Sequence, residues 1–211
     1  MLLLAFDTAT PAVTAALHDG QRVLAETSTV DARRHGELLA PSIAKVLVGA
    51  EPRDLTAIAV GVGPGPFTGL RVGVVTARVF GRTLGIPVHG VCTLDALARA
   101  AVDAHATDQD FLAVTDARRK ELYWARYSAA GERLDGPAVS RPDDLPAGLP
   151  IAGQAVSLYP ALGESIWPEH PSAAVLATLA AEGQGQLPPE PLYLRRPDAQ
   201  IPGRPKRVTS P

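Results

Sequence analysis

A pattern of three apolar segments occurs twice in this chain and limits the folds open to it. In "LLAFDTATPAVTAALHDGQRVL" (3–24) an apolar run ends in Asp7, and two further runs follow, each after a short turn. "FLAVTDARRKELYWARYSAAGERL" (111–134) repeats this order, with Asp116 in the place of Asp7. Short apolar runs between turn residues are typical of β-strands. Their recurrence after roughly a hundred residues predicts an internal duplication.

The segments around this pattern predict an α/β protein. We predict strands over 2–6, 12–17, 22–27, 56–62 and 86–91, and helices over 36–48, 69–85, 94–106 and 172–182. The duplication predicts an N-terminal subdomain over 1–106 and a smaller, degenerate second one over 107–195. Residues 196–211 are rich in Pro and Arg without an apolar period, which predicts a disordered, mildly basic tail.

Composition excludes several classes of protein. A formal net charge of −2 argues against an autonomous nucleic-acid binder. Cys92 is the one cysteine, which rules out an internal disulfide, and its apolar surroundings predict a buried thiol. "MLLLAF" lacks the length and basic start of a signal peptide, and no apolar stretch is long enough to span a membrane. We therefore expect a cytoplasmic protein without a membrane partner.

The predicted helix over 69–85 carries small residues at every fourth position: Gly69, Gly73, Ala77, Gly81 and Gly85. These residues form one ridge along the helix. A glycine inside a helix costs about 1 kcal/mol relative to alanine, so the ridge must provide a compensating contact. One interpretation is that the ridge lets another protein's helix approach closely. The other is that it lets this helix pack on its own sheet.

Several motifs occur in a fixed order: "LLLAFDTATPAVTAAL", "GPGPFTGLRVGVVTARVFG", "GVCTLDALA", "DARRKELYWARY" and "PLYLR". Together they resemble the TsaB (YeaZ) family of bacterial tRNA threonylcarbamoyladenosine (t6A) biosynthesis proteins over residues 1–195. The resemblance implies the actin-like, sugar-kinase-like ATPase fold, with duplicated βββαβα halves. It also implies a non-catalytic scaffold that binds TsaD, with the ATPase TsaE, for threonylcarbamoyl transfer to the adenosine beside the tRNA anticodon. Contact with tRNA would occur only through that complex.

The resemblance favours the first interpretation of the ridge, because TsaD is a related fold with corresponding helices. Helices 36–48 and 69–85 would then form a pseudo-symmetric contact with TsaD, and the same surface would form a homodimer when TsaD is absent. The interface residues predicted in this way are His35, Leu39, Ile43, Gly69, Leu70, Arg71, Gly73, Val74, Ala77, Arg78 and Gly81.

The nucleotide site implied by this fold is incomplete in the sequence. Asp7, Thr8 and Thr10 stand where the first phosphate loop would be, and Gly153 stands in a shortened adenosine loop. The second phosphate loop corresponds to 116–120, which contains no glycine and three cations. We expect no cofactor of the chain's own and leave weak or shared nucleotide binding open. An independent ATPase or small-molecule kinase is the alternative function.

Metal and peptidase chemistry find little support in the sequence. TsaD-like proteins hold a metal with two histidines one helical turn apart, whereas here His35 is followed by Leu39. His35 is therefore predicted to start a helix or to lie in the interface. No residue is predicted to be catalytic or to bind a metal.

Overall fold

The computed structural model describes residues 1–195, and the predicted tail at 196–211 lies outside them. The strands of the first half are β1 (Leu3–Asp7), β2 (Ala12–His18), β3 (Val23–Val30), β4 (Ala57–Gly61) and β5 (Val88–Val91). Those of the second half are β6 (Phe111–Asp116), β7 (Leu122–Tyr127), β8 (Arg133–Ser140), β9 (Ile151–Ala152), β10 (Ser165–Ile166) and β11 (Gln186–Leu187). The helices are α1 (His35–Val46), α2 (Phe67–Leu84), α3 (Thr93–Asp103), α4 (Ala155–Leu158) and α5 (Ala173–Ala181).

The first half forms a mixed sheet of order β11-β5-β4-β1-β2-β3. β1, β2 and β3 pair antiparallel as a meander, while β1, β4 and β5 run parallel. Parallel neighbours need crossover connections, which α1 and α2 provide. β1 is buried along its whole length, as its uninterrupted apolar sequence predicts.

The second half repeats this topology in the sheet β10-β9-β6-β7-β8. β6, β7 and β8 are the antiparallel meander, and β9 and β10 continue it in parallel. The duplication and the predicted fold class are confirmed. The two halves differ at one crossover, where a single 3₁₀ turn over Pro142–Asp144 stands in the position of α1.

Helices cover both faces of the first sheet. Leu4 and Phe6 of β1 point into one core layer, where they meet α1 and α2. Leu3 and Ala5 point the other way and meet α5. This alternation follows from the two-residue period of a strand, and it places α1 and α2 together on one side of the molecule.

The predicted division at residues 106 and 107 stays a prediction. The fold adds that the end of the described chain returns to the first half. α5 packs under β1 and β2, and β11 pairs with β5 at the edge of the first sheet. Residues 173–195 therefore contribute to the core of the first half although they follow the second meander.

Candidate functional site

β1 ends in a buried carboxylate, that of Asp7. Its Oδ1 accepts a hydrogen bond from the Ala9 amide at 2.5 Å, and its Oδ2 accepts one from the Thr93 hydroxyl at 2.7 Å. A Cβ atom on Gly61 would overlap the carboxylate, so β4 closes around it as well. Burial raises the pKa of Asp7 to about 6, although the hydrogen bonds from Ala9 and Thr93 oppose this shift. The carboxylate caps the β1–β2 turn and is fully shielded from solvent.

The hydroxyl of Thr8 binds to the backbone of α2. Its Oγ1 donates to the Gly69 carbonyl at 2.7 Å and accepts from the Gly73 amide at 2.9 Å. These backbone groups are four residues apart and are hydrogen-bond partners in an ordinary α-helix. The Thr8 hydroxyl therefore bridges one step of the helical ladder. A Cβ atom on Gly73 would lie 2.6 Å from this oxygen, so the contact requires a glycine there.

The ridge of small residues on α2 faces the protein's own sheet, and the predicted approach of a partner backbone along it is wrong. A Cβ atom on Gly69 would lie 2.7 Å from the Thr8 carbonyl oxygen, and one on Gly81 would overlap the side chain of Val88. Ala77 is completely buried between them. The glycines allow the β1–β2 turn and β5 to reach the helix backbone, so the internal interpretation is correct.

The other predicted interface residues divide by exposure. Leu70 and Val74 are buried in the core beneath α2, and their predicted contact with a partner is wrong for the same reason. Arg71 and Arg78 are exposed on the opposite face of the helix. His35 is the first residue of α1, as predicted, and its Nε2 lies 2.8 Å from the Thr10 carbonyl oxygen.

An apolar groove of about 370 Å³ lies between α1 and α2. Leu39 and Ile43 are almost completely buried, yet they line this groove. Ala40, Ala44, Leu47, Val72, Thr76 and Phe80 line it as well. On the outer face of α2, Val75 and Val79 are 50% and 56% exposed. They follow the groove residues Val72 and Thr76 by three positions, so the groove continues into an exposed apolar strip on one helix face.

A cleft of about 220 Å³ marks the position implied for a nucleotide. The β1–β2 turn, the N-terminal turns of α1 and α2, Asp116 and Arg118 line it. Thr8 and Thr10 reach this lining with only 1% and 3% of their surface exposed. Ligand pockets commonly have volumes of roughly 300–1,000 Å³, so this cleft is small for a nucleotide.

The turn that faces the cleft from the second half has an unusual backbone. Arg118, Arg119 and Lys120 have φ angles of +62°, +57° and +62°, a left-handed conformation that side chains other than glycine disfavour. The Arg118 amide donates to Asp116 Oδ1 at 2.8 Å, which ties the start of the turn to β6. With no glycine, the turn lacks the feature that lets backbone amides approach a phosphate closely.

Gly153 follows β9 and is held by its own half. Its φ angle is +110°, and a Cβ atom there would overlap the Val114 carbonyl group. Its amide donates to the Pro168 carbonyl at 2.7 Å. These contacts explain the glycine locally, and its place in a former adenosine loop stays a prediction.

A polar network joins α3 to the second meander, and the sequence did not reveal it. Asp95 accepts a hydrogen bond from the Tyr127 hydroxyl and pairs with the Arg133 guanidinium, both at 2.6 Å. Burial, followed by the charge of Asp95, raises the pKa of Tyr127. Arg99 of the same helix pairs with Glu182 at 2.7 Å beyond α5. These partners are far apart in sequence, so no local spacing could have indicated them.

Two further properties concern only residues 1–195. Within them, no three or more His, Cys, Asp or Glu side chains are grouped so that they could hold a metal ion. In the same range, no helix has both the length and the apolar character needed to cross a bilayer.

Comparison with known proteins gives a consistent family. The family model described as "TsaD: tRNA N6-adenosine threonylcarbamoyltransferase" matches residues 22–160. The protein Rv3421c of Mycobacterium tuberculosis is 46% identical over 205 residues, which cover 94% of this chain and 93% of that protein. The tRNA threonylcarbamoyladenosine biosynthesis protein TsaB of Escherichia coli is 36% identical over 129 residues, which cover 60% of this chain and 55% of TsaB.

A solved structure extends the likeness to nearly the whole fold. YeaZ from Pseudomonas aeruginosa superposes with a TM-score of 0.77 at 28% identity. The match covers 92% of this chain and 99% of YeaZ. It includes both halves, so the likeness is not limited to the segment matched in E. coli TsaB. The chain belongs to the TsaB (YeaZ) family.

Proposed function

We propose that this chain is a non-catalytic subunit of t6A biosynthesis that binds a TsaD-like protein, with a TsaE-like ATPase joining the pair. Relatives from E. coli and Bacillus subtilis are named tRNA threonylcarbamoyladenosine biosynthesis proteins, which supports the pathway. Contact with tRNA would be made through the complex, in keeping with the formal net charge of −2.

The exposed apolar strip on α2 is the observation that carries the binding role. Val75 and Val79 expose half or more of their side chains beside a groove that is itself apolar. Contiguous apolar surface of this kind marks interaction sites in proteins that are otherwise polar outside. Arg71 and Arg78 on the same helix would lie at the rim and pair with acids of the partner. This surface replaces the small-residue ridge as the proposed contact.

The absence of catalysis is supported by how the first turn uses its side chains. Asp7 is held by an amide and a hydroxyl, and the Thr8 hydroxyl is held by two backbone groups of α2. Asp7 is completely buried and does not reach the cleft, and the Thr8 hydroxyl gives its one proton to the Gly69 carbonyl, so it has none to donate to a phosphate. On the opposite wall, the turn at 117–120 contains no glycine.

The test is to purify this chain together with the TsaD-like protein of the same organism and to measure t6A formation with and without it. Val75→Asp combined with Val79→Asp should weaken binding at least about 100-fold, because it places two charges in a desolvated contact. Leu134→Asp is the matched control, since Leu134 is 49% exposed on β8 of the second half. Circular dichroism should show all variants folded.

Unchanged binding by the double variant, with a folded chain, would refute the proposed surface. Unchanged t6A formation without this chain would refute its role in the pathway. ATP turnover by the purified chain, abolished by Asp7→Asn, would replace the proposal with the independent ATPase. If the same strip also forms a homodimer, the double variant should shift the isolated chain to a monomer in sedimentation.

A further inference from the structure

The segment that follows β11, residues 188–195, crosses from one half of the molecule to the other. It leaves the edge of the first sheet at Leu187, which pairs with Gly90 of β5. Farther along, the Leu192 amide donates to the Val62 carbonyl at 2.8 Å, just beyond β4. The Leu192 side chain packs against core clusters of both halves. The segment is therefore anchored at the carboxyl ends of the parallel strands, where the cleft between the halves opens.

Tyr193 then joins the segment to the start of α2. Its ring stacks on Phe67, the first residue of that helix, with centroids 5.4 Å apart and planes inclined by 24°. Arg71 covers the same Phe67 ring, with its guanidinium carbon 4.9 Å from the centroid. Because Arg71 lies on the proposed partner surface, this stack is a direct physical connection from the segment to that surface.

Arg195 joins the segment to the left-handed turn of the second half. Its Nη1 donates to the Ala117 carbonyl at 3.2 Å, and its other terminal nitrogen pairs with the Glu121 carboxylate. Ala117 and Glu121 are the two ends of the turn, and the Ala117 amide donates to the Glu121 carbonyl at 3.0 Å. The Arg195 guanidinium thus contacts both ends of this turn, and the backbone conformation of the turn is unfavourable by itself.

We propose that residues 188–195 are a strap that fixes the turn at 117–121 and the N-terminal turn of α2 with respect to each other, and that Arg195 and Tyr193 are its positioning residues. The two ends of the strap contact elements from different halves, on either side of the cleft. The strap is thus a second connection between the halves, besides the network of Asp95 with Tyr127 and Arg133. Through Phe67 and Arg71 the strap would also support the partner surface, and this part of the proposal rests on the proposed function.

Hydrogen–deuterium exchange on the isolated full chain tests the strap without any partner. Arg195→Ala should accelerate exchange of the Ala117 and Glu121 amides about tenfold, because the turn loses a charge-assisted hydrogen bond. The amides of β1 should keep their exchange rates. Arg141→Ala is the control, because Arg141 is an exposed arginine of the second half. Unchanged exchange at 117–121, or equal acceleration throughout the chain, would overturn the strap.

Tyr193 provides a second, independent measurement. Tyr193→Ala should accelerate exchange of the Leu70 amide, which donates to the Pro66 carbonyl at 3.1 Å, whereas Tyr193→Phe keeps the stack and should not. Equal Leu70 rates in both variants would contradict the role of Tyr193. If Tyr193→Ala accelerates exchange but leaves affinity for the TsaD-like protein unchanged, the link to the partner surface is refuted, while the proposed function stands on its own test.

Discussion

Gly73 and Thr8 form the pair whose substitution tests the packing of α2 most directly. Gly73→Ala should gain about 1 kcal/mol of helix propensity. The new Cβ atom would lie 2.6 Å from Thr8 Oγ1, so the hydroxyl must move away from the helix. Even if the Gly69 carbonyl and the Gly73 amide then pair directly, the displaced Thr8 hydroxyl stays buried without a partner, which costs about 2 kcal/mol, and the overpacking costs about 1 kcal/mol more. The expected net loss is about 2 kcal/mol in the free energy of unfolding.

Gly73→Ala should no longer destabilise the protein when the Thr8 hydroxyl has been removed first. Thr8→Ala lets the Gly69 carbonyl and the Gly73 amide pair directly, so this change alone should cost only about 1 kcal/mol. The next atoms near a Cβ on Gly73 are Thr8 Cβ and Val60 Cγ2, both at 3.7 Å, which is ordinary contact. In the Thr8→Ala background, Gly73→Ala should therefore be neutral or stabilise by up to about 1 kcal/mol. The coupling between the two changes is at least about 2 kcal/mol.

Urea unfolding of the parent chain, both single variants and the double variant, followed by circular dichroism, measures this coupling. Thr8→Ser is the control background, because it keeps the hydroxyl and should preserve the full cost of Gly73→Ala. Free-energy changes that add within about 0.5 kcal/mol would refute the reasoning, because independent sites behave in that way.

Two further changes test the buried carboxylate and the end of the ridge. The pKa of Asp7 is about 6 in the fold against an ordinary value of 3.8, so folding favours the neutral form of its carboxyl group. That stabilisation is complete below about pH 4 and is lost as the pH rises to about 6. Asp7→Asn should therefore gain up to roughly 3 kcal/mol relative to the parent between pH 4 and pH 7 in urea unfolding, and a pH-independent difference would contradict this. Gly81→Ala should lose about 1–3 kcal/mol in thermal unfolding because its Cβ meets Val88, and an unchanged Tm would exclude that contact.

The longer strands and helices could be predicted from the sequence because they depend on local periodicity, whereas α4, β10 and β11 are too short to show a period. The runs at 2–6 and 12–17 became β1 and β2, and the helix predicted over 69–85 became α2. The repeat of the meander predicted a duplication, and the structure shows it as two sheets whose corresponding strands have the same order. The ends of the predicted helices moved by a few residues, as in α3, which was predicted over 94–106 and spans Thr93–Asp103.

The same periodicity could not show what covers a helix face. A spacing of four places Gly69, Gly73 and Gly81 on one ridge, but it gives no information on whether a sheet or another protein lies above them. The group that packs against Gly69 and Gly73 is the Thr8 hydroxyl, which lies 61 residues from Gly69 in sequence. Contacts of this range also include Asp95 with Tyr127 and Arg195 with Ala117, and neither has a local signature.

The same side-chain contacts explain how α2 is held on the first sheet and support the proposed lack of catalysis. An actin-like phosphate loop needs the polar side chains after its first strand to be free to meet an anion and its metal. Here Asp7 is turned onto Thr93 at the start of α3, and Thr8 onto the backbone of α2. The Asp7 carboxylate is thereby kept out of the cleft, and the one proton of the Thr8 hydroxyl is used inside the protein. If α2 presents the partner surface, a substitution that frees Thr8 for a ligand should also loosen α2 and weaken partner binding.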